Sequence, residues 1–194
     1  ASVIRMLAEG RLQVVCVGDG FHAEGRAAGR WQLALEEYQA DYERHRHMDM
    51  EMAESFGVME MVMELKSACP GHFHFLKGNH ENIANQLGDG NFPFRKFAQE
   101  GRMVARYVEK FYGEDLLASY ASFEKRLPLL AVGRNFLVSH AEPEFFFSRE
   151  EVVEYRQDPE VVEGLTWTPN DGAREGSVEE MLAHYLSLPE DGRE

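Results

Sequence analysis

Short runs of consecutive apolar residues alternate along this chain with long segments whose apolar residues recur at helical spacing. Val3, Met6 and Leu7 share one face of a helix that Gly10 can stop, and a first strand follows over residues 12–17. From residue 30 to about 66 the chain is rich in Glu, Met, Ala and Leu and reads as helix, with Gly57 dividing it in two. Trp31, Leu35, Tyr38 and Tyr42 make a packing stripe on the first of these helices. Pro70-Gly71 ends the region and releases the chain into a second strand from Phe73. A loop holding Gly88, Gly90 and Pro93 precedes helical stretches between residues 95 and 125, where Val104, Tyr107, Val108 and Phe111 keep helical spacing until Gly113 breaks it. Residues 127–132 and 135–139 read as two strands joined by a turn at Gly133. Ser148 with Glu151 predicts a capping box for a helix running towards Gln157, and Ser177 with Glu180 predicts another before Met181. Strands alternating with helices make the class α/β. With no internal repeat and no low-complexity linker, residues 1–194 are expected to form one domain, with a helical insert at about 30–55.

Composition narrows the partners. A chain of 194 residues with 44% hydrophobic content can bury one core. A formal charge of −14 argues against nucleic acid, whose backbone calls for basic stripes. It leaves an anionic substrate open, because a bound divalent cation reverses the local field. Cys16, read as a buried core thiol, and Cys69 offer no disulfide framework, which fits a reducing cytoplasm. No apolar stretch reaches the length of a membrane span and no signal segment opens the chain. It starts at Ala1 rather than at a methionine, so a trimmed chain is expected.

The chemistry gathers at three strand ends. Segments 12–19, 73–81 and 135–140 each run from strand formers to a residue able to hold a metal: Asp19, Asn79 and His140. In α/β sheets ligands collect beyond the carboxyl ends of strands. A carboxylate, an amide oxygen and an imidazole suit a divalent ion such as manganese, iron or zinc. His72 and His74 alternate along the second strand and read as structural, His45 and His47 as solvated. The methionines between Met48 and Met63 read as core packing.

Gly78-Asn79-His80-Glu81 resembles the Gly-Asn-His-Glu motif of calcineurin-like metallophosphoesterases, and residues 69–81 resemble their Ser/Thr protein phosphatase branch. Gly18-Asp19 with a following Arg26 resembles that family's Gly-Asp-x-x-Asp-Arg-Gly. Leu127-Pro128 through His140-Ala141-Glu142-Pro143 resembles its Leu-Pro strand pair ending in His-Gly-Gly, and residues 165–171 resemble its Leu-Trp-Ser-Asp-Pro loop. The resemblance spans roughly residues 14–171. It implies a β-sandwich flanked by helices and a centre holding two divalent metal ions. Asp19 would bridge the ions, Asn79 and His140 would complete the second ion's ligands, and His80 would be the general acid. The implied reaction is hydrolysis of a phosphomonoester, on a phosphorylated protein or a small molecule, by a metal-activated hydroxide. A dinucleoside-polyphosphate hydrolase shares these motifs.

The resemblance also has gaps. Where the family has Asp-x-x-Asp-Arg-Gly, this chain has a longer loop, Asp19-Gly20-Phe21-His22-Ala23-Glu24-Gly25-Arg26. There Arg26 would clamp phosphate, Glu24 would partner His80 and hold its tautomer, and His22 would face substrate. The family's upstream Asp-x-His is absent, and so is its later Gly-His, since His184 falls in a helical stretch. Both would lie just outside the termini, which makes a fragment the expectation. If instead the chain is whole, a non-catalytic binding protein of the same fold, lacking the first metal, is the alternative.

Overall fold

The computed structural model describes residues 2–186. Helix α1 (Ser2–Ala8) stops where predicted: Arg11 N–H donates to Met6 O at 2.9 Å, and Gly10 takes the left-handed φ of 68° that such a stop uses. Strand β1 (Val14–Cys16) pairs in parallel with β2 (Phe73–Phe75), Val14 opposite Phe73 and Cys16 opposite Phe75. The crossover between them is mostly helical. It comprises α2 (Ala28–Gln39), which follows a short 3-10 turn (Gly25–Ala27), and α3 (Arg46–Ala68).

The division of this helical region falls at residues 40–45 and not at Gly57. Gly57 is exposed inside α3, with open space where a Cβ would be. The break is made instead by Asp41 and Tyr42, both at positive φ. The buried Tyr42 hydroxyl donates to Met103 O at 2.7 Å. Glu37, near the end of α2, accepts from the N–H groups of His47 and Met48 and so caps the start of α3. His45 and His47 are half-exposed, and each is also tied to a carboxylate: their Nδ1 atoms lie 2.7 Å from Asp49 and 2.8 Å from Glu37.

Helices α4 (Glu100–Tyr112) and α5 (Glu114–Glu124) meet at Gly113, with φ 91°, as the sequence predicts. Strands β3 (Leu130–Val132) and β4 (Leu137–Ser139) form an antiparallel hairpin. The Ser148–Glu151 capping box forms at the head of α6 (Arg149–Val153). Helix α7 (Pro159–Thr166), which periodicity does not announce, is capped by Asp158 with proline at its first turn. In α8 (Ser177–Leu186) the second expected capping box is absent: Ser177 lies inside the helix and its hydroxyl donates to Pro143 O at 2.8 Å.

The class is mixed helix and strand, but the expected β-sandwich is not seen among the described residues. Among the described residues there are two two-stranded sheets. Lys77 N–H donates to Pro128 O at 2.8 Å and so links the end of β2 to the approach to β3, although no continuous ladder results. Two apolar clusters hold the elements. The larger gathers Trp31, Met48, Met52, Met59, Phe73, Phe75, Met103 and Val108 around the parallel pair, so several of the methionines are core as expected. The smaller sets Leu129, Phe147, Val161, Leu165 and Met181 behind the hairpin. Cys69 is buried, whereas Cys16 is only half-buried against the larger cluster. Among the described residues no helix is long and apolar enough to cross a membrane.

Candidate functional site

The loops after β1, β2 and β4 meet, and one buried carboxylate ties two of them together. Glu81, 1% exposed, accepts from Asp19 N–H at 2.9 Å, Gly20 N–H at 2.7 Å and Gly78 N–H at 2.6 Å. Burial pushes the Glu81 carboxyl up, while the three N–H groups pull it down. Glycine is required where the loops touch. A Cβ at Gly18 would lie 2.6 Å from Gly78 Cα, and one at Gly78 would lie 2.9 Å from Asp19 N. The clamp holds Asp19 in the left-handed region, φ 62°.

Around Asp19 the three expected metal ligands come together. His140 Nε2 lies 3.2 Å from Asn79 Oδ1 and 3.7 Å from Asp19 Oδ1. The other ring nitrogen of His140 is 2.7 Å from Val17 O, an atom that can only accept, so Nδ1 carries a proton. Nε2 is thereby left facing two oxygens, those of Asn79 and Asp19. A proton on Nε2, an Asn79 amide turned so that its NH2 donates, or a metal ion each satisfies this arrangement, and the last uses all three donors at once. Ligand bonds of about 2.0–2.2 Å set neighbouring donor atoms roughly 3–3.5 Å apart, close to the spacing here. The donor set fits a divalent ion. Among the described residues no group of three His, Cys, Asp or Glu side chains lies at metal-binding spacing. The present trio contains only two such side chains, its third donor being an amide oxygen.

His80 stands beside this trio. Its Nδ1 is 2.8 Å from Phe21 O, so a backbone carbonyl, and not Glu24, fixes the tautomer and leaves Nε2 facing the cleft. That Nε2 lies 3.8 Å from both Asp19 Oδ2 and Glu24 Oε1. Glu24 is shared, since Lys96 Nζ donates to its other oxygen at 2.6 Å. Asp19, His22, Glu24 and His80 line a cleft of about 320 Å³, with Glu54 and Ser55 of α3 on the far wall.

The remaining residues of the loop are placed differently from expectation. Arg26 is not brought into the cleft: its side chain is 81% exposed and its guanidinium pairs with Glu54, which also pairs with Arg30. His22 does line the cleft but is almost fully buried, and neither ring nitrogen has a partner. Its ring stacks on Phe94 at 5.0 Å, and burial, reinforced by His80, holds its pKa well below the usual imidazole value. Glu81 is the residue of the candidate site that residue-type reasoning leaves without a role. The signal lay in its place at the end of the Gly-Asn-His-Glu run.

Behind the clamp lies a second buried charge group. Glu124 accepts from Ile83 N–H at 2.8 Å, and burial pushes its carboxyl up to about 8. Burial draws the nearby Lys77 ammonium down, although Glu124 and Glu81 oppose this. His184, on α8, accepts from Arg149 N–H at 3.4 Å and takes no part in the site. Compared with protein-family models, curated proteins and solved structures, the chain matches none, so its own geometry carries the reading.

Proposed function

We propose that this chain is a metal-dependent phosphoesterase acting on phosphomonoesters, of the calcineurin-like kind that its Gly-Asn-His-Glu run resembles. One observation carries the reading: Asp19, Asn79 and His140, delivered by three different strand ends, turn polar atoms towards one another beside His80. These three residues would hold a divalent ion, and Asp19 faces the cleft from which a second would be reached. Bound manganese, iron or zinc would supply a hydroxide nucleophile and neutralise phosphoryl oxygens.

The chain's own residues do the rest. The Phe21 carbonyl keeps Nδ1 of His80 protonated and leaves Nε2 to hold or pass a proton at the leaving oxygen. Glu24 and Asp19, each 3.8 Å from that nitrogen, complement the charge of a His80 that has taken a proton up. The Glu81 clamp keeps both loops in place, so the ligands are set before substrate arrives.

The test is elemental analysis of the purified chain with added manganese, followed by hydrolysis of para-nitrophenyl phosphate. Bound metal that is lost in His140→Ala and Asn79→Ala, together with turnover lost in His80→Ala, supports the proposal. Neither metal nor turnover sinks it. Turnover of a phosphoserine peptide compared with diadenosine tetraphosphate separates a monoesterase from a dinucleoside-polyphosphate hydrolase. The pairing of Arg26 with Glu54, which leaves the cleft without that arginine, together with the missing upstream Asp-x-His, favours a second reading in which the chain holds one ion and binds phosphate through it without cleaving it. One metal per chain with phosphate binding and no turnover is the result that reading expects.

A further inference from the structure

A cavity of about 540 Å³, larger than the cleft at Asp19, opens beside Phe94. Two arginines, Arg95 and Arg102, line it together with Asn85, Gln99 and Phe94. In a chain of formal charge −14, most arginines and lysines near the site are taken up by carboxylates: Lys96 by Glu24, and Arg26 and Arg30 by Glu54. Arg95 and Arg102 are exposed and make no ion pair among the described residues.

Both are mounted on fixed backbone. The buried Glu100 carboxylate accepts from Lys96 N–H at 3.0 Å, Phe97 N–H at 2.5 Å and Ala98 N–H at 3.0 Å, which pins the turn carrying Arg95. Gly101 N–H donates to Phe94 O at 3.1 Å and seats the first turn of α4, which carries Arg102. With the backbone fixed, only the two side chains' own rotamers have to be ordered on binding, and planar donor forks match the oxygens of phosphate.

Phe94, which lines the cavity, packs against two residues of the cleft: its ring centroid lies 3.7 Å from that of His80 and 5.0 Å from that of His22. The cavity and the cleft therefore adjoin through this ring.

We infer that this cavity is an anion subsite, in which Arg95 and Arg102 bind a phosphate of a small molecule whose other phosphate is presented to Asp19 and His80. The second half of that statement rests on the phosphoesterase reading; the anion site does not. Two experiments keep them apart. In the first, inorganic pyrophosphate is titrated calorimetrically into the chain at low ionic strength, with a chelator present so that no metal takes part. Wild type is expected to bind, and Arg95→Gln/Arg102→Gln is expected to bind at least about tenfold more weakly. Arg134→Gln, which removes an exposed arginine from the β3–β4 turn, is expected to stay within about twofold of wild type. No binding by wild type, or equal binding by all three, overturns the subsite.

The second experiment compares butanediol bisphosphate with butanediol monophosphate as substrates in the presence of manganese. The double variant is expected to raise KM for the bisphosphate about tenfold and to leave the monophosphate unchanged. An equal rise for both overturns the assignment of a substrate phosphate to the cavity. Turnover of neither ester by wild type overturns the phosphoesterase reading, while the titration still decides the anion site.

Discussion

Glu81→Gln removes the clamp between the β1 and β2 loops without removing any proposed ligand. In the wild-type chain Oε2 accepts from Asp19 and Gly78 N–H, and Oε1 accepts from Gly20 N–H. A glutamine oxygen can keep two of these bonds, but its amide nitrogen then meets the third N–H donor to donor. An orphaned buried donor costs about 1–3 kcal/mol, and turning two charge-assisted bonds into neutral ones removes roughly 1 kcal/mol each. Part of this is offset. Burial holds the Glu81 carboxyl above its usual range, so the neutral amide escapes a desolvation penalty that the carboxylate bears. The net expectation is a loss of about 2–3 kcal/mol, or roughly 5–10 °C in Tm for a chain of this size. Urea unfolding at pH 7 followed by tryptophan fluorescence measures the loss, with Trp31 reporting on the larger core. A variant within about 0.5 kcal/mol of wild type would refute the claim that this carboxylate holds the loops. If stability falls as expected but manganese affinity does not, the clamp serves folding alone and the link to Asp19 is broken.

Four further outcomes follow from the same geometry. Gly57→Ala should stabilise the chain by about 0.5–1 kcal/mol, because the residue is exposed in the interior of α3 with nothing near its missing Cβ; a loss in thermal melts would contradict a continuous helix there. Gly18→Ala should destabilise by about 3 kcal/mol or more, since φ is 94° and the added carbon meets Gly78 Cα at 2.6 Å and Glu81 Oε2 at 2.9 Å; a soluble variant with wild-type urea midpoint would count against the close approach of the loops. Because burial raises the folded pKa of Glu124 to about 8, its contribution to stability is fully present below the unfolded value and is lost as pH climbs through about 8. Glu124→Gln should therefore flatten the fall of the urea midpoint between pH 5 and about 8.5, and an unchanged slope would show that another group titrates. His140→Ala should weaken manganese or zinc binding by about 100-fold while changing metal-free stability by less than about 1 kcal/mol, and retained affinity on titration would remove it from the ligand set.

The strand ends were the most legible part of the chain, for a physical reason. An apolar run that must pair and then stop beside a glycine leaves few readings, and β1, β2 and β4 end close to where that pattern predicts. The stop at Gly10, the break at Gly113 and the Ser148 capping box are local chemistry and are equally readable. The misreadings share a cause, which is that tertiary partners decided. Gly57 lowers helix propensity, yet α3 is held along its length by Met48, Met52 and Met59 in the core, whereas Tyr42 is drawn out of the helix by core packing and Met103 O. Ser177 finds Pro143 O before it can cap. Arg26 was read from motif spacing, but the longer loop sets it beside Glu54, a residue contributed by α3 that no local pattern announces. The same blindness hid the Phe21 carbonyl behind His80.

What distinguishes the Asp19 loop from the rest of the chain is that unfavourable choices accumulate in it. Among the non-glycine residues at positive φ, Asp41, Asn85, Asp89 and Asp171 are the types that tolerate that region in turns, and Tyr42 is held there by its buried hydroxyl bond. His22, at φ 61°, is also of a type that tolerates the region, but its ring is buried, stacked and without a hydrogen-bond partner. Within a few residues lie Asp19 at φ 62°, the buried Glu81 carboxylate, and the facing polar atoms of Asn79 and His140. A buried, unpartnered imidazole such as that of His22 costs about 1–3 kcal/mol, whereas the Glu81 carboxylate offsets its cost through three hydrogen bonds. Unpartnered polar groups gathered where three strand ends meet are what the proposed site would have to carry, since it must present acceptors and an imidazole to a charged ligand.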